Sequence, residues 1–254
     1  MGKCKEIEIK VIPASVANPF VRAHHYSGKV VPNSTLHFGA FLNGRLHGVL
    51  SYGNSMVKEK TMQLVEGTGW NEFLELNRMA FDDTLPRNSE SYCIGATLRM
   101  IRKKAPQIKW VISYADGTQC GDGTIYRASN FVLTGIKPNK TIMLLPTGKT
   151  IASNVITSHP DAAELREACA YMHKPLRPYT PSEWVQMGGV WLKGFQLRYI
   201  YFLDRKYRAR LSVPELPFSA IDEMHAGMYK GQCVTQAERH AIKTPKADAN
   251  ESDK

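Results

Sequence analysis

Polar and apolar residues alternate over Glu6–Ile12, the period of a strand with one buried face. Ala14–His25 reads as a helix. Leu36–Leu42 and Leu46–Tyr52 flank Asn43-Gly44-Arg45, and Asn-Gly between apolar runs predicts a β-hairpin, because both turn residues must adopt positive φ. Phe73–Phe81 predicts a central strand. Ser89 or Ser91 is expected to cap a helix ending at Lys104 that carries Ile94, Leu98 and Ile101 at helical spacing. A second apolar run, Ile108–Asp116, precedes a glycine-rich loop, a short helix from Thr124 and a strand entering at Val132. The series is β-α-β-α-β. A parallel pair joined by a helix leaves a crevice at the carboxyl ends of its strands. Asp116 falls at such an end, and Tyr126 lies on the helix that follows.

Further on, Thr141–Leu145 and Thr150–Ala152 form a second expected hairpin. Asp161–Tyr171 reads as a helix, Pro175–Pro181 as an irregular linker, and Phe195–Leu203 as a late strand that returns to the same sheet. We expect a single domain over residues 1–230, with a core at 24–136 and an elaboration at 137–230. The polar tail, 231–254, is expected to be disordered. Front hairpins, a βαβα core and a returning strand resemble the GNAT acyltransferase architecture. The resemblance implies an α/β fold: a mixed central β-sheet flanked by helices, here with a C-terminal extension. It also implies that the central strand and its successor splay apart and that the donor's reactive group enters the gap.

With 254 residues and 43% hydrophobic content, the chain can bury a sizeable core. No apolar stretch approaches the roughly 20 residues of a membrane span, so no membrane partner is expected. Met1-Gly-Lys-Cys-Lys-Glu carries no apolar secretion segment, and the five cysteines are scattered without a CxxC. Both features point to reduced thiols in a cytoplasm. Net charge is +10, and it is clustered. Arg99, Arg102, Lys103, Lys104 and Lys109 form one group; Lys193, Arg198, Arg205, Lys206, Arg208 and Arg210 form another. Two basic clusters suit a polyanion, with nucleic acid the default candidate. The plain alternative is a solvated basic face.

The residues with chemistry lie in three places. His24-His25-Tyr26-Ser27-Gly28-Lys29 gathers two imidazoles, a phenol and an amine at a helix end, a pattern that also describes an ordinary helix C-cap. Asp116, followed by Gly117-Thr-Gln-Cys-Gly-Asp122-Gly, is a candidate general base or metal ligand; Cys120 and Asp122 read better as turn residues. His25, Tyr26, Asp116 and Tyr126 would give an N/O metal site suited to iron rather than structural zinc. Arg78 stands inside an apolar strand, where its partner should be Glu75, Asp116 or a phosphate. Arg87, Ser89 and Ser91 surround a helix N-terminus and form, with Arg78, a candidate anion or donor site. GNAT acetyltransferases place a glycine-rich turn there for the coenzyme A diphosphate. This chain has Glu90 and Tyr92 instead.

The runs His25–Val30, Glu75–Phe81, Pro86–Ser91, Ala105–Val111, Ala115–Gly123 and Ile125–Ser129 resemble the Mom family of bacteriophage DNA-modification proteins. The likeness is close over 24–136 and general beyond about 140. It implies an enzyme of the host cytoplasm that converts adenine in double-stranded DNA to N6-carbamoylmethyladenine, protecting phage DNA from restriction. It further implies acetyl-CoA as donor and iron as a bound metal. The family's functional residues match His25, Tyr26, Arg78, Asp116 and Tyr126, with Tyr26, Arg78, Asp116 and Tyr126 expected at the chemistry. Arg99, Arg102, Lys103 and Lys104 are the expected nucleic-acid contacts. The added CH2–CO–NH2 group holds the atoms of one glycyl residue, whereas acetyl-CoA brings no nitrogen, so glycyl-tRNA is a second expected donor and tRNA a second nucleic-acid partner. An extruded base would need a stacking platform such as Tyr26, Tyr52 or Trp70, the last two read chiefly as core residues. Two other classes remain: a non-enzymatic basic DNA-binding phage protein, and an ordinary GNAT N-acetyltransferase.

Overall fold

A computed structural model describes residues 3–117, 121–229, 232–233 and 238. Cys120 and most of the expected disordered tail lie outside these residues. The chain clusters into two compact units. The first comprises Met1–Tyr114, Gly123–Gly135 and Leu197–Pro217; the second comprises Ala115–Asp122, Ile136–Gln196 and Phe218–Lys254.

The larger sheet is seven-stranded, of order β1-β2-β3-β4-β5-β10-β6. Its strands are β1 (Glu8–Ile12), β2 (Ser34–Leu42), β3 (Arg45–Gly53), β4 (Phe73–Phe81), β5 (Trp110–Asp116), β6 (Val132–Asn139) and β10 (Gly194–Phe202). β1 to β4 form an antiparallel meander. The β2–β3 turn is the predicted one, with Asn43 at φ 51° and Gly44 at φ 76°. The late strand β10 returns to the sheet between β5 and β6, as its apolar run requires. The mixed, helix-flanked sheet is the α/β arrangement the sequence predicts.

Helix α1 (Ala14–His24) buries Ala17 and Val21 against Ile12, Val49 and Ala80. Helix α3 (Ser89–Lys104), which follows the short α2 (Lys58–Met62), buries Ile94, Leu98 and Ile101 as the spacing predicts. Its cap is neither serine: Asn88 occupies that position at φ 70°. Trp110 stacks on Phe73 with ring centres 4.5 Å apart and donates its indole N–H to Thr68. Ile112, Ile200 and Val65 close the core around this pair.

One irregularity positions the site. β4 and β5 pair in parallel only from Phe73↔Trp110 to Glu75↔Ile112, after which their ladder stops while both strands continue. The β4 carbonyls just past the break are satisfied by side chains. Buried Ser113 donates its hydroxyl to Leu76 O at 3.3 Å, and Arg78 Nη1 donates to Asn77 O at 2.8 Å. Buried main-chain carbonyls need such partners, so the gap in the sheet is stabilised rather than merely unpaired.

The second unit holds a three-stranded antiparallel sheet of order β8-β7-β9: β7 (Ile142–Leu144), β8 (Thr150–Ala152) and β9 (Val190–Trp191). β7 and β8 are the predicted second hairpin. Helices Ser153–Ser158, Ala163–Tyr171 and Pro181–Gln186 pack on them around Met143, Ile151, Leu165 and Trp184. The last helix begins with a capping box, Thr180 and Glu183 each accepting the other's backbone N–H. That signal stood in the sequence, inside the end of the expected linker. Gln232–Cys233 pairs with Met228–Tyr229, so strand structure enters the region expected to be a disordered tail. Among the described residues no helix is long and apolar enough to cross a membrane.

Candidate active site

α1 ends at His24, and the chain turns through His25 to Gly28, which takes φ 60° and donates its N–H to His25 O at 2.8 Å. The hexapeptide is therefore a helix C-cap, and the same turn presents functional groups. The His25 and Tyr26 rings lie against each other at a tilt of 32°, with centres 4.3 Å apart. Ser27 N–H donates to His25 Nδ1 at 3.1 Å, so the neutral ring carries its proton on Nε2. Burial, with the nearby Arg78 guanidinium, lowers the His25 pKa to about 4, and the ring is neutral at physiological pH. Tyr26 is 57% exposed.

Arg78 reaches this turn from β4. Its Nε donates to Lys29 O at 2.9 Å, and Nη1 holds Asn77 O; neither bond uses Nη2. The expected carboxylate partner is corrected: main-chain carbonyls hold Arg78. Glu75 acts on it only through space, and burial lowers the guanidinium pKa. The Glu75 carboxyl is itself raised by burial, against hydrogen bonds from Ser55 and Asn77. Burial and Glu75 together raise the neighbouring Tyr114 phenol. Perturbed groups beside a gap in a sheet are functional candidates. The sequence reading used Glu75 only as a partner for Arg78 and overlooked Tyr114, whose hydroxyl is hidden in the apolar pattern of β5.

Tyr126 is buried in an aromatic cluster, 5.1 Å from Tyr199 and 5.4 Å from Phe131. Burial, with a smaller contribution from Tyr126, raises the pKa of Tyr52, whose hydroxyl lies 2.6 Å from that of Thr97. Tyr52 is thus core, as its chief reading has it, and no stacking platform. Trp70, read chiefly as core, is instead 53% exposed, with the Lys58 ammonium 4.3 Å from its ring centre.

Asp116 belongs to the second unit. It ends β5 as predicted and accepts a hydrogen bond from Thr141 Oγ1 at 3.1 Å. Thr141 is a polar contact that sequence spacing cannot reveal.

The expected donor site at the α3 N-terminus is corrected in part. Ser89 is buried, donates to Pro86 O and has Cys4 Sγ at 3.8 Å. Ser91 donates to Asn88 O, and Glu90 occupies the first turn. Both hydroxyls already donate to main-chain carbonyls, and Glu90 adds a negative charge to the first turn, so these residues do not fit the coenzyme A diphosphate. Arg87 is exposed. The expected iron set, His25, Tyr26, Asp116 and Tyr126, counts two tyrosines, and its Asp116 lies in the second unit. Among the described residues no group of three or more His, Cys, Asp or Glu could hold a metal ion. A metal-bound imidazole normally donates its other N–H, whereas His25 Nδ1 accepts one.

Members of the two basic clusters meet in the first unit. Arg102 Nε donates to Leu203 O at 3.1 Å, Asp204 N–H donates to Lys109 O at 2.9 Å, and Lys109 lies 3.9 Å from the Asp204 carboxylate. Arg99, Lys103, Lys104, Arg205 and Lys206 are exposed. Arg208 and Arg210 are held, by Glu215 and by Glu66 O respectively.

Solved structures similar in fold include the ribosomal-protein-S18-alanine N-acetyltransferase from Escherichia coli (8% identity, 78% of this chain and 94% of that one, TM-score 0.43). An N-acetyltransferase from Staphylococcus aureus Mu50 is another (10% identity, 78% and 99%, TM-score 0.44). Among curated proteins, the methylcarbamoylase mom of Escherichia phage Mu is 39% identical over 132 residues. The match spans 52% of this chain and 54% of that relative, about half the length of each. The model of the Mom protein family matches residues 6–220, and the chain, with its His25-Tyr26 turn docked on Arg78, belongs to that family.

Proposed function

We propose that this protein is a DNA-modification transferase that converts adenine to N6-carbamoylmethyladenine in phage DNA within the host cytoplasm, shielding it from restriction. The observation that carries this reading is family membership over residues 6–220 combined with an electropositive donor cluster built on the family-matched residues. Arg78, the Nε2–H of His25 and the Tyr26 hydroxyl are hydrogen-bond donors held by one turn and one strand. Such a set suits the oxyanion that develops when an amine attacks a donor carbonyl. Tyr126, in the same unit, takes the proton released by the attacking N6.

The donor carries an activated glycyl unit, as in glycyl-tRNA. N6 attacks the glycyl ester carbonyl, and the ester C–O bond breaks, releasing the tRNA hydroxyl and leaving N6-glycyladenine. The glycyl amine then attacks C6 through a five-membered ring. The bond from C6 to the original N6 breaks, and that nitrogen leaves as the carboxamide. The product carries CH2–CO–NH2 on the new N6, with no redox step. Acetyl-CoA would require a nitrogen source and oxidation of its methyl carbon. The exposed basic residues at the end of α3, Arg99, Arg102, Lys103 and Lys104, serve nucleic acid in this reading.

Mass spectrometry of nucleosides from plasmid DNA, in cells expressing the chain and fed nitrogen-15, carbon-13 glycine, tests it. Modified adenosine with the intact labelled unit is expected. Modified adenosine without label would remove the glycyl donor and return acetyl-CoA. Unmodified adenine from soluble protein would leave a non-enzymatic DNA-binding protein.

A further inference from the structure

The second unit contains a pocket that nothing above uses. It has a volume of about 590 Å³ and is lined by Pro138, Asn139, Lys140, Trp191, Lys193 and Phe195, among others. That size lies within the roughly 300–1,000 Å³ typical of small-ligand sites. Among the described residues no acidic side chain lines it. Phe195 is buried, with the Lys193 ammonium 5.8 Å from its ring centre, and Trp191 is half-buried. Lys140 and Lys193 are exposed.

Two observations tie the pocket to Asp116. Thr141, next in the chain to Lys140, donates to the Asp116 carboxylate at 3.1 Å. Gly117, next to Asp116, packs on the pocket's own backbone, so that a Cβ there would lie 3.0 Å from Phe195 O. An aromatic surface, two cations and a nearby carboxylate match a purine ring, its phosphates and its exocyclic amine.

We propose that this pocket takes one purine nucleotide, the target adenine extruded from DNA. The ring lies against Trp191 and Phe195, the flanking phosphates meet Lys140 and Lys193, and the exocyclic amine faces Asp116. This rests on the DNA-modification reading and adds where that substrate binds. Extrusion costs least for an unpaired base, which gives a binding test independent of turnover.

Fluorescence anisotropy would compare a fully paired duplex with one carrying a single adenine opposite an abasic site. The wild-type protein is expected to prefer the unpaired adenine by about tenfold, from the stacking and pairing energy saved. Trp191→Ala should lose the preference and keep the affinity for paired duplex, whereas Lys140→Glu with Lys193→Glu, both at exposed positions, should weaken binding of the unpaired-adenine duplex more than of the paired one. Trp191→Phe should retain the preference. Preference unchanged in these variants would overturn the proposal. So would intact preference with lost binding of coenzyme A alone, which would assign the pocket to a donor nucleotide. Wild-type protein that binds neither duplex would sink the DNA-modification reading itself.

Discussion

The turn around His25 and the pocket around Trp191 are built on opposite plans. In the first unit the polar groups are half-buried, shifted in pKa and tied to main-chain atoms: Arg78 to Lys29 O and Asn77 O, His25 to Ser27 N–H. In the second unit the cations are exposed side chains around an open cavity. Rigid, desolvated donors are suited to a charge that forms transiently, because they need no reorganisation when it appears. Exposed lysines on an aromatic surface suit a ligand that must enter and leave. In the proposed reading, one plan serves chemistry and the other capture.

Predictions can break or sharpen that contrast, beginning with the largest effect. Trp110→Ala removes the ring stacked on Phe73 and should cost about 3–5 kcal/mol of stability, read by denaturant unfolding. A smaller loss would mean that the sheet beside the β4–β5 gap tolerates repacking and is no rigid frame. Arg78→Lys keeps the charge but cannot hold two carbonyls in one planar fork. It should lower the rate of adenine modification by roughly 10²–10³-fold, the scale of removing one oxyanion donor, with soluble protein. Unchanged turnover would reduce Arg78 to a patch on the β4 backbone.

A pH titration sharpens the desolvated side of the contrast. The folded-state pKa of His25 is about 4, below its ordinary value of 6.5. Between those values the unfolded chain binds a proton that the folded protein refuses. Stability should therefore fall as pH drops from 6.5 towards 4, and be fully regained above 6.5. His25→Gln should flatten that part of the profile; an unchanged slope would mean that the ring is not desolvated. The smallest effect concerns the basic ridge. Lys103→Ala should lower the magnitude of the salt slope of DNA binding by about one, without loss of stability. Arg102→Ala should destabilise as well, because Arg102 holds Leu203 O. Equal behaviour of the two would remove the distinction between binding and structural cations.

The sequence was most readable where one local pattern has one structural solution. Asn43-Gly44 could hardly be anything but a hairpin turn, and the period in α3 placed Ile94, Leu98 and Ile101 inside. The types of residue at the first unit's site were legible for the same reason, since His25 and Tyr26 stand together in the chain. What decides their properties was not. Arg78 finds carbonyls rather than a carboxylate because a parallel ladder stops at Glu75, and the length of a ladder is a tertiary outcome. Ser89 looked like a cap but is covered by Cys4, 85 residues away. The pocket joins residues 138–140 to 191–195, which no spacing rule connects. Trp70, by contrast, was misread because an apolar ring can be covered by a lysine stem and ammonium as well as by a core.

The place of β10 has a consequence for synthesis. In space it lies between β5 and β6, yet it is the last strand of the main sheet to be made, and residues 140–193 separate it from β6. While that stretch is emerging from the ribosome, β5 and β6 each present a bare hydrogen-bonding edge, and the apolar residues of β5 await their cover. Unpaired edges recruit other chains. The nascent protein therefore passes through a sticky interval of more than fifty residues, at the rate of translation, before the strand that closes it arrives.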